Sequence, residues 1–190
     1  RFEQIKRFHS FEPGTMDHAM YGADLLFGPE QMIRRFVKNP SFDQLICVAI
    51  AKHSDFKLEG IEDERTLLHA RLIRDADKLD NCRVKLEESM ETLLDMDEKT
   101  VGASPISPKV WESCKAEESV LSADRKTGMD YWMSYLALYF DINFPETYQI
   151  IKEQDYIRRI AERVPYSRED TKEKVAYTVK KLEEKMNIQP

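Results

Sequence analysis

Three aspartates are crowded into the stretch RDADKLDN, residues 74–81, where Asp75, Asp77 and Asp80 fall within six positions. Carboxylates this close repel one another, and a buried carboxylate is costly unless it is paired or bound to a metal. The stretch therefore indicates either a solvated acidic helix face or a site built around a cation. On a solvated face, the i,i+3 and i,i+4 partners would be Arg71, Arg74 and Lys78.

Helical geometry separates the three acids. A repeat of 3.6 residues places Asp75 about 160° around the axis from Asp77, whereas Asp80 shares a side with Asp77. The pattern predicts that the buried face of this helix is an apolar stripe beside Asp77, formed by Leu68, Leu72, Ala76 and Leu79. We therefore expect Asp77 at the border of the buried face and Asp75 on another side, answered by neighbouring arginines.

Two histidines are candidates to join Asp77. His18 stands near the start of one predicted helix, and His53 stands at the end of another, on the apolar face of Ile46 and Ile50, so its ring should point inward. Imidazole and carboxylate together suit Zn, Mn, Fe, Ni or Co. The set is one or two ligands short of a closed shell, and either histidine could instead be a hydrogen-bonded core or capping residue.

Composition limits the class of protein that positions these residues. The chain has 190 residues and a net charge of -6, with 42% hydrophobic and 34% charged residues. These values are typical of a globular domain, and they argue against binding to a nucleic-acid duplex. No apolar run is long enough to span a bilayer, so we expect no membrane association. The three widely spaced cysteines predict reduced thiols and a cytoplasmic protein.

Nearly every segment has a helical pattern, so the sequence predicts an all-α fold. We expect one domain over residues 1–190, a compact multi-helix bundle with a core at 1–95 and a helical extension at 96–190. Pro29, Pro40 and Pro108 mark helix starts. The predicted helices lie at 16–27, 29–38, 41–53, 62–90, 108–121, 127–140, 145–163 (with a break allowed) and 168–186. The stretch 97–107 is predicted to be a loop or a mobile segment.

Four short stretches follow one another along the first half of the chain: RFEQ at 1–4, DHAMYG at 17–22, AIAKHS at 49–54 and RDADKLDN at 74–81. Together they resemble the HD-domain (His-Asp) superfamily of metal-dependent phosphohydrolases over about the first 90 residues. The RFEQ segment is similar to the residues that follow the family's His-Asp pair. We therefore expect that pair, with an earlier histidine, upstream of Arg1.

The resemblance implies a role for each matching residue. Asp77 would be the metal-ligating aspartate, with Asp75 in reserve, and His18 and His53 would bind a second metal or the substrate phosphate. Asn81 would lie near the substrate. The implied catalytic residues are Asp77, Lys78 and Asn81, and the implied substrate-binding residues are Lys52, Arg74, Lys78 and Asn81. Each of these cations also fits an ordinary solvated surface position.

The function expected from the resemblance is hydrolysis of a phosphomonoester, phosphodiester or nucleotide by a metal-activated water. The cofactor would be a divalent ion, with Mn, Fe, Ni, Co, Zn and Mg all open. The alternative is a catalytically incomplete module of the same fold that senses a nucleotide or binds another protein. Homo-oligomer formation is left open.

Overall fold

The structure, a computed structural model, describes residues 6–7 and 16–188. The RFEQ segment, His9 and most of the loop predicted before residue 16 lie outside the described residues. In the described part there are ten α-helices and no β-strand, which confirms the all-α prediction. The helices are α1 (His18–Phe27), α2 (Asp43–Lys52), α3 (Glu64–Glu87), α4 (Met90–Leu94), α5 (Glu98–Ala103), α6 (Pro108–Lys115), α7 (Gly128–Ala137), α8 (Pro145–Glu153), α9 (Tyr156–Glu162) and α10 (Glu169–Ile188).

The chain divides into two compact units, Arg1–Arg74 and Asp75–Pro190, with the boundary inside α3. In the first unit, α1 begins at a true N-cap, because the Asp17 carboxylate accepts hydrogen bonds from the backbone N–H groups of Ala19 and Met20, each at 3.0 Å. Helix α1 packs on α2, with Gly22 facing Ile50. No described helix in either unit is both long enough and apolar enough to cross a membrane.

The predicted helix at 29–38 is wrong. Only a short 3-10 turn forms there, Met32–Arg35, and it is preceded by Gln31 in the left-handed conformation with φ 47°. A residue at positive φ cannot continue a right-handed helix, so the segment breaks before a full α-helix is established. Pro40 begins another 3-10 turn, Pro40–Phe42, which runs directly into α2.

The second unit holds the larger hydrophobic core, with Trp132, Met133 and Leu136 of α7 fully buried at its centre. A capping box closes the start of α7: the Thr127 hydroxyl accepts from the Asp130 N–H, and the Asp130 carboxylate accepts from the Thr127 N–H.

Three further boundaries in the second unit bear on the sequence predictions. The predicted loop at 97–107 is wrong over 98–103, where α5 forms behind its N-cap Asp97, whereas residues 104–107 do lie outside any helix. The break allowed within 145–163 is confirmed, since Asp155 adopts φ 52° between α8 and α9. Pro108 does stand at the first position of α6, as predicted.

The buried face of α3 is not the predicted one. Leu68 is 50% exposed and Leu72 is 54% exposed, Ala76 is exposed as well, and Leu79 alone of the stripe is partly buried. The buried residues follow another line along the helix: Thr66, Ala70, Arg74, Asp75, Lys78, Cys82 and Lys85. Charged side chains take this face because partners far along the chain satisfy them, and a helix-local apolar pattern carries no information about such partners.

The cysteines differ in burial, which gives a prediction for their reactivity. All three are free, Cys47 is half-buried, and burial raises the pKa of Cys82 to about 11 and that of Cys114 to about 12. Burial, with Asp24 and Asp43 nearby, raises the pKa of Cys47 as well. At pH 8 the folded protein should still react with a thiol reagent first at Cys47, because the other two thiols are buried and their pKa values keep them protonated. Mass spectrometry of the early product tests this. Early labelling of Cys82 or Cys114 would contradict the buried positions.

Candidate functional site

The first unit brings two of the predicted site residues together. The rings of His18 and His53 lie with their centroids 5.1 Å apart and their planes at 81°, an edge-to-face arrangement. His18 is the first residue of α1, and His53 caps the end of α2. The packing of α1 on α2 therefore places one histidine from each helix in contact.

A backbone hydrogen bond orients the His53 ring. Its Nδ1 lies 2.7 Å from the carbonyl oxygen of Ile50, one turn earlier in α2. A carbonyl can only accept, so Nδ1 carries the proton, and in the neutral ring Nε2 presents a lone pair. This is the arrangement commonly found in metal-binding histidines, in which the second nitrogen donates to a carbonyl or carboxylate.

His18 and His53 match what a metal site needs in two respects: both side chains are imidazoles, and their rings are in contact. Within residues 6–7 and 16–188, however, no group of three or more His, Cys, Asp or Glu side chains is arranged to hold a metal ion. The pair would therefore supply two ligands, which is fewer than a complete shell requires. The predicted metal centre stays a prediction.

Comparison with known proteins does not assign the chain to a family. No protein-family model, no curated protein and no solved structure matches the chain. The likeness to HD-domain phosphohydrolases consequently rests on the four sequence stretches alone.

Arg74, a predicted phosphate-binding residue, is buried in the first unit against the loop that follows His53. Its guanidinium donates to the carbonyl oxygens of His53 at 3.2 Å and Phe56 at 3.4 Å, and it also donates to the carbonyl of Asp55. Lys52 lies beside this loop, where its ammonium contacts the Asp55 carboxylate at 3.3 Å. Both cations thus have protein acceptors in the described structure.

Asp77 and Asn81 lie one turn apart on α3, in the second unit. Asp77 is exposed, and the Asn81 side-chain amide donates to its backbone carbonyl at 2.9 Å and to its carboxylate at 3.2 Å. The amide therefore restrains the Asp77 carboxylate and leaves its remaining lone pairs facing solvent. Burial raises the pKa of Tyr139 well above its usual range, and Cys82 and Asp77 act in the same direction.

Asp75 and Lys78 point to the interior of the second unit, and here the sequence prediction for Asp75 is wrong. Asp75 is 1% exposed, and its carboxylate accepts from the Asn143 N–H at 3.0 Å, the Asn143 amide at 2.7 Å and the Phe144 N–H at 3.0 Å. These donors lie just before α8, so Asp75 anchors the segment that leads into that helix. It is not answered by neighbouring arginines.

Lys78 completes the attachment of α3 to the same segment. Its ammonium contacts the Asp141 carboxylate at 2.8 Å and also donates to the Asp141 backbone carbonyl. The Lys78 side chain is 7% exposed, whereas that of Asp141 is 41% exposed. No sequence signal near Asp141 or Asn143 marked them as partners of the RDADKLDN stretch, because their separation along the chain exceeds sixty residues.

Proposed function

We propose that the protein is a metal-dependent phosphohydrolase that acts on a phosphomonoester, a phosphodiester or a nucleotide. The observation that carries the proposal is the contact of His18 with His53, together with the hydrogen bond that leaves Nε2 of His53 available as a ligand. Asp77 is the carboxylate ligand that the sequence resemblance assigns. Its part in metal binding rests on that resemblance alone.

The proposed roles follow from the chemistry of each side chain. In the first unit, His18 and His53 would hold the ion through imidazole nitrogen. Within the second unit, the Asn81 amide donates to the Asp77 carboxylate and restrains it. When bound, a divalent ion supplies a water of lowered pKa and offsets the negative charge of the phosphate. That second effect matters in a chain of net charge -6, which would otherwise repel an anionic substrate.

Metal analysis of the purified protein tests the proposal. We expect the wild type to retain a divalent ion and to hydrolyse at least one member of a phosphoester and nucleotide panel, with loss of turnover in chelator. His53→Ala should lower metal affinity by at least about tenfold, as removal of a ligand or of its support does. His69→Ala is the matched control, since His69 is a half-buried histidine of α3 outside the pair.

Asp77→Ala, with Asp80→Ala as its control on the same exposed side of α3, tests the carboxylate separately. Equal metal content in the wild type and in His53→Ala would overturn the metal site. Turnover that survives both chelator and Asp77→Ala would overturn the assigned chemistry.

One observation favours a second candidate, a nucleotide-sensing or protein-binding module without catalysis. Arg74 and Lys78, the cations expected to meet phosphate, donate to protein carbonyls and to Asp141. Fewer cations would then be available to stabilise charge on a transferring phosphoryl group. Metal-dependent nucleotide binding with no turnover on the whole panel would support this candidate over the enzyme.

A further inference from the structure

The loop that leaves α2 is held by one buried guanidinium. The last carbonyls of any α-helix lack partners within the helix, and they need donors from elsewhere. In the first unit, Arg74 donates to three backbone carbonyls at and just beyond the end of α2: that of the C-cap residue His53, and those of Asp55 and Phe56 in the loop that follows. A cation at this end of the helix is also favoured by the helix dipole.

These contacts surround one of the two paired histidines. The ring of His53 is fixed from inside α2 by the Ile50 carbonyl, and its backbone carbonyl is fixed from outside by Arg74. Its Cα is therefore restrained on both sides. The direction in which Nε2 points depends on the backbone as much as on the side-chain rotamer, and ligand geometry tolerates little error.

We propose that Arg74 is a positioning residue that holds His53 in register with His18, rather than a residue that binds phosphate. The arginine is 6% exposed, so its donors are committed to the interior of the first unit. Meeting a phosphate would require charge-assisted bonds to carbonyls to be broken first, and such bonds are among the stronger ones. The link to metal binding rests on the proposed function, whereas the positioning of His53 does not.

The geometry distinguishes arginine from lysine at this position. A planar guanidinium carries several donors in a fixed fork and can serve carbonyls on two nitrogens, as Arg74 does. A lysine ammonium is a single point and can reach only part of the set. Arg74→Lys should therefore keep the fold and lose part of the restraint, while Arg74→Gln should lose most of it.

The first test reads the His53 ring directly and needs no metal. Long-range nitrogen–proton NMR spectra report which ring nitrogen is protonated, and His53→Gln assigns the signal. In the wild type, His53 should show the Nδ1–H form. In Arg74→Gln, the signal should shift toward a mixture of tautomers, with Arg74→Lys intermediate and Arg71→Gln, an exposed arginine of the same helix, unchanged. An unchanged His53 signal in a folded Arg74→Gln protein would overturn the proposal.

The second test is titration with Zn²⁺ alone and, separately, with inorganic phosphate, with circular dichroism confirming helix content. We expect Arg74→Gln to weaken Zn²⁺ binding about tenfold, and to leave any phosphate affinity of the zinc-loaded protein unchanged. A variant that loses phosphate binding while Zn²⁺ affinity and the His53 tautomer stay as in the wild type would show that Arg74 binds substrate instead. If the wild type and His53→Ala bind Zn²⁺ alike, the proposed function fails, and the tautomer measurement still decides the role of Arg74.

Discussion

Asp75→Ala is expected to lower the free energy of unfolding by about 3 kcal/mol or more, because each buried donor left without an acceptor costs about 1–3 kcal/mol. The carboxylate accepts from two backbone N–H groups and one side-chain amide, all from Asn143 and Phe144. At 1% exposure, water has no ready access to replace it. The segment that leads into α8 would lose the acceptor that α3 provides.

Two companion variants isolate the cause. Asp75→Asn keeps one acceptor oxygen but places an NH₂ group against the remaining donors. Its loss of unfolding free energy should therefore be as large as that of Asp75→Ala or somewhat smaller. Asp80→Ala removes an aspartate from the same helix whose side chain is 63% exposed, and it should change stability by no more than about 0.5 kcal/mol. Urea denaturation followed by circular dichroism gives all three values. If Asp75→Ala proved as stable as Asp80→Ala, the hydrogen bonds of Asp75 would not contribute to the stability of the fold as argued.

The RDADKLDN stretch shows what a single sequence can and cannot predict. The helical period correctly separates Asp75 from Asp77, because that angle depends only on local geometry. Which side faces inward was predicted wrongly, since it depends on Asn143 and Asp141, far along the chain. The apolar pattern along α3 predicts that Leu68 and Leu72 are buried, but in the structure the buried face carries charged residues whose partners are distant along the chain.

In the candidate site, too, the features that depend on local sequence were predictable and the contacts between distant residues were not. His18 and His53 were singled out from residue type and from their places at helix ends, both of which are local features. The structure adds their contact and the Ile50 carbonyl that fixes the His53 tautomer. The function of Arg74 was open from sequence, because a cation at a helix position fits solvent, phosphate or a backbone cap equally well until the fold supplies the carbonyls.

Helix starts were predictable where a residue imposes the backbone locally. Pro108 fixes φ and lacks an N–H, so it suits the first turn of α6 and is found there. The stretch 97–107 contains Gly102, which is ordinarily unfavourable inside a helix, yet it lies within α5. The structure supplies a reason for its presence, and this reason can be tested.

Gly102→Ala is therefore expected to destabilise the protein, although alanine is the better helix former. A Cβ at this position would lie 2.9 Å from the carbonyl carbon of Pro165 and closer still to its oxygen, both of them backbone atoms. The adjoining chain is held in place, since the Ser167 N–H donates to the Gly102 carbonyl at 3.2 Å. Overpacking of this kind costs about 1–3 kcal/mol, and it exceeds the gain of about 1 kcal/mol in helix propensity.

Gly22→Ala provides the matched control with the opposite expected sign. Gly22 is also inside a helix, α1, but its added Cβ would meet only Ile50 Cγ2, at an ordinary 3.7 Å. With propensity acting without a clash, this variant should be neutral or more stable by up to about 1 kcal/mol. Urea denaturation of both proteins measures the contrast. The methyl group of Gly102→Ala would press on backbone atoms of Pro165, which cannot move aside as a flexible side chain could. If Gly102→Ala proved as stable as Gly22→Ala, α5 would not pass as close to Pro165 as described.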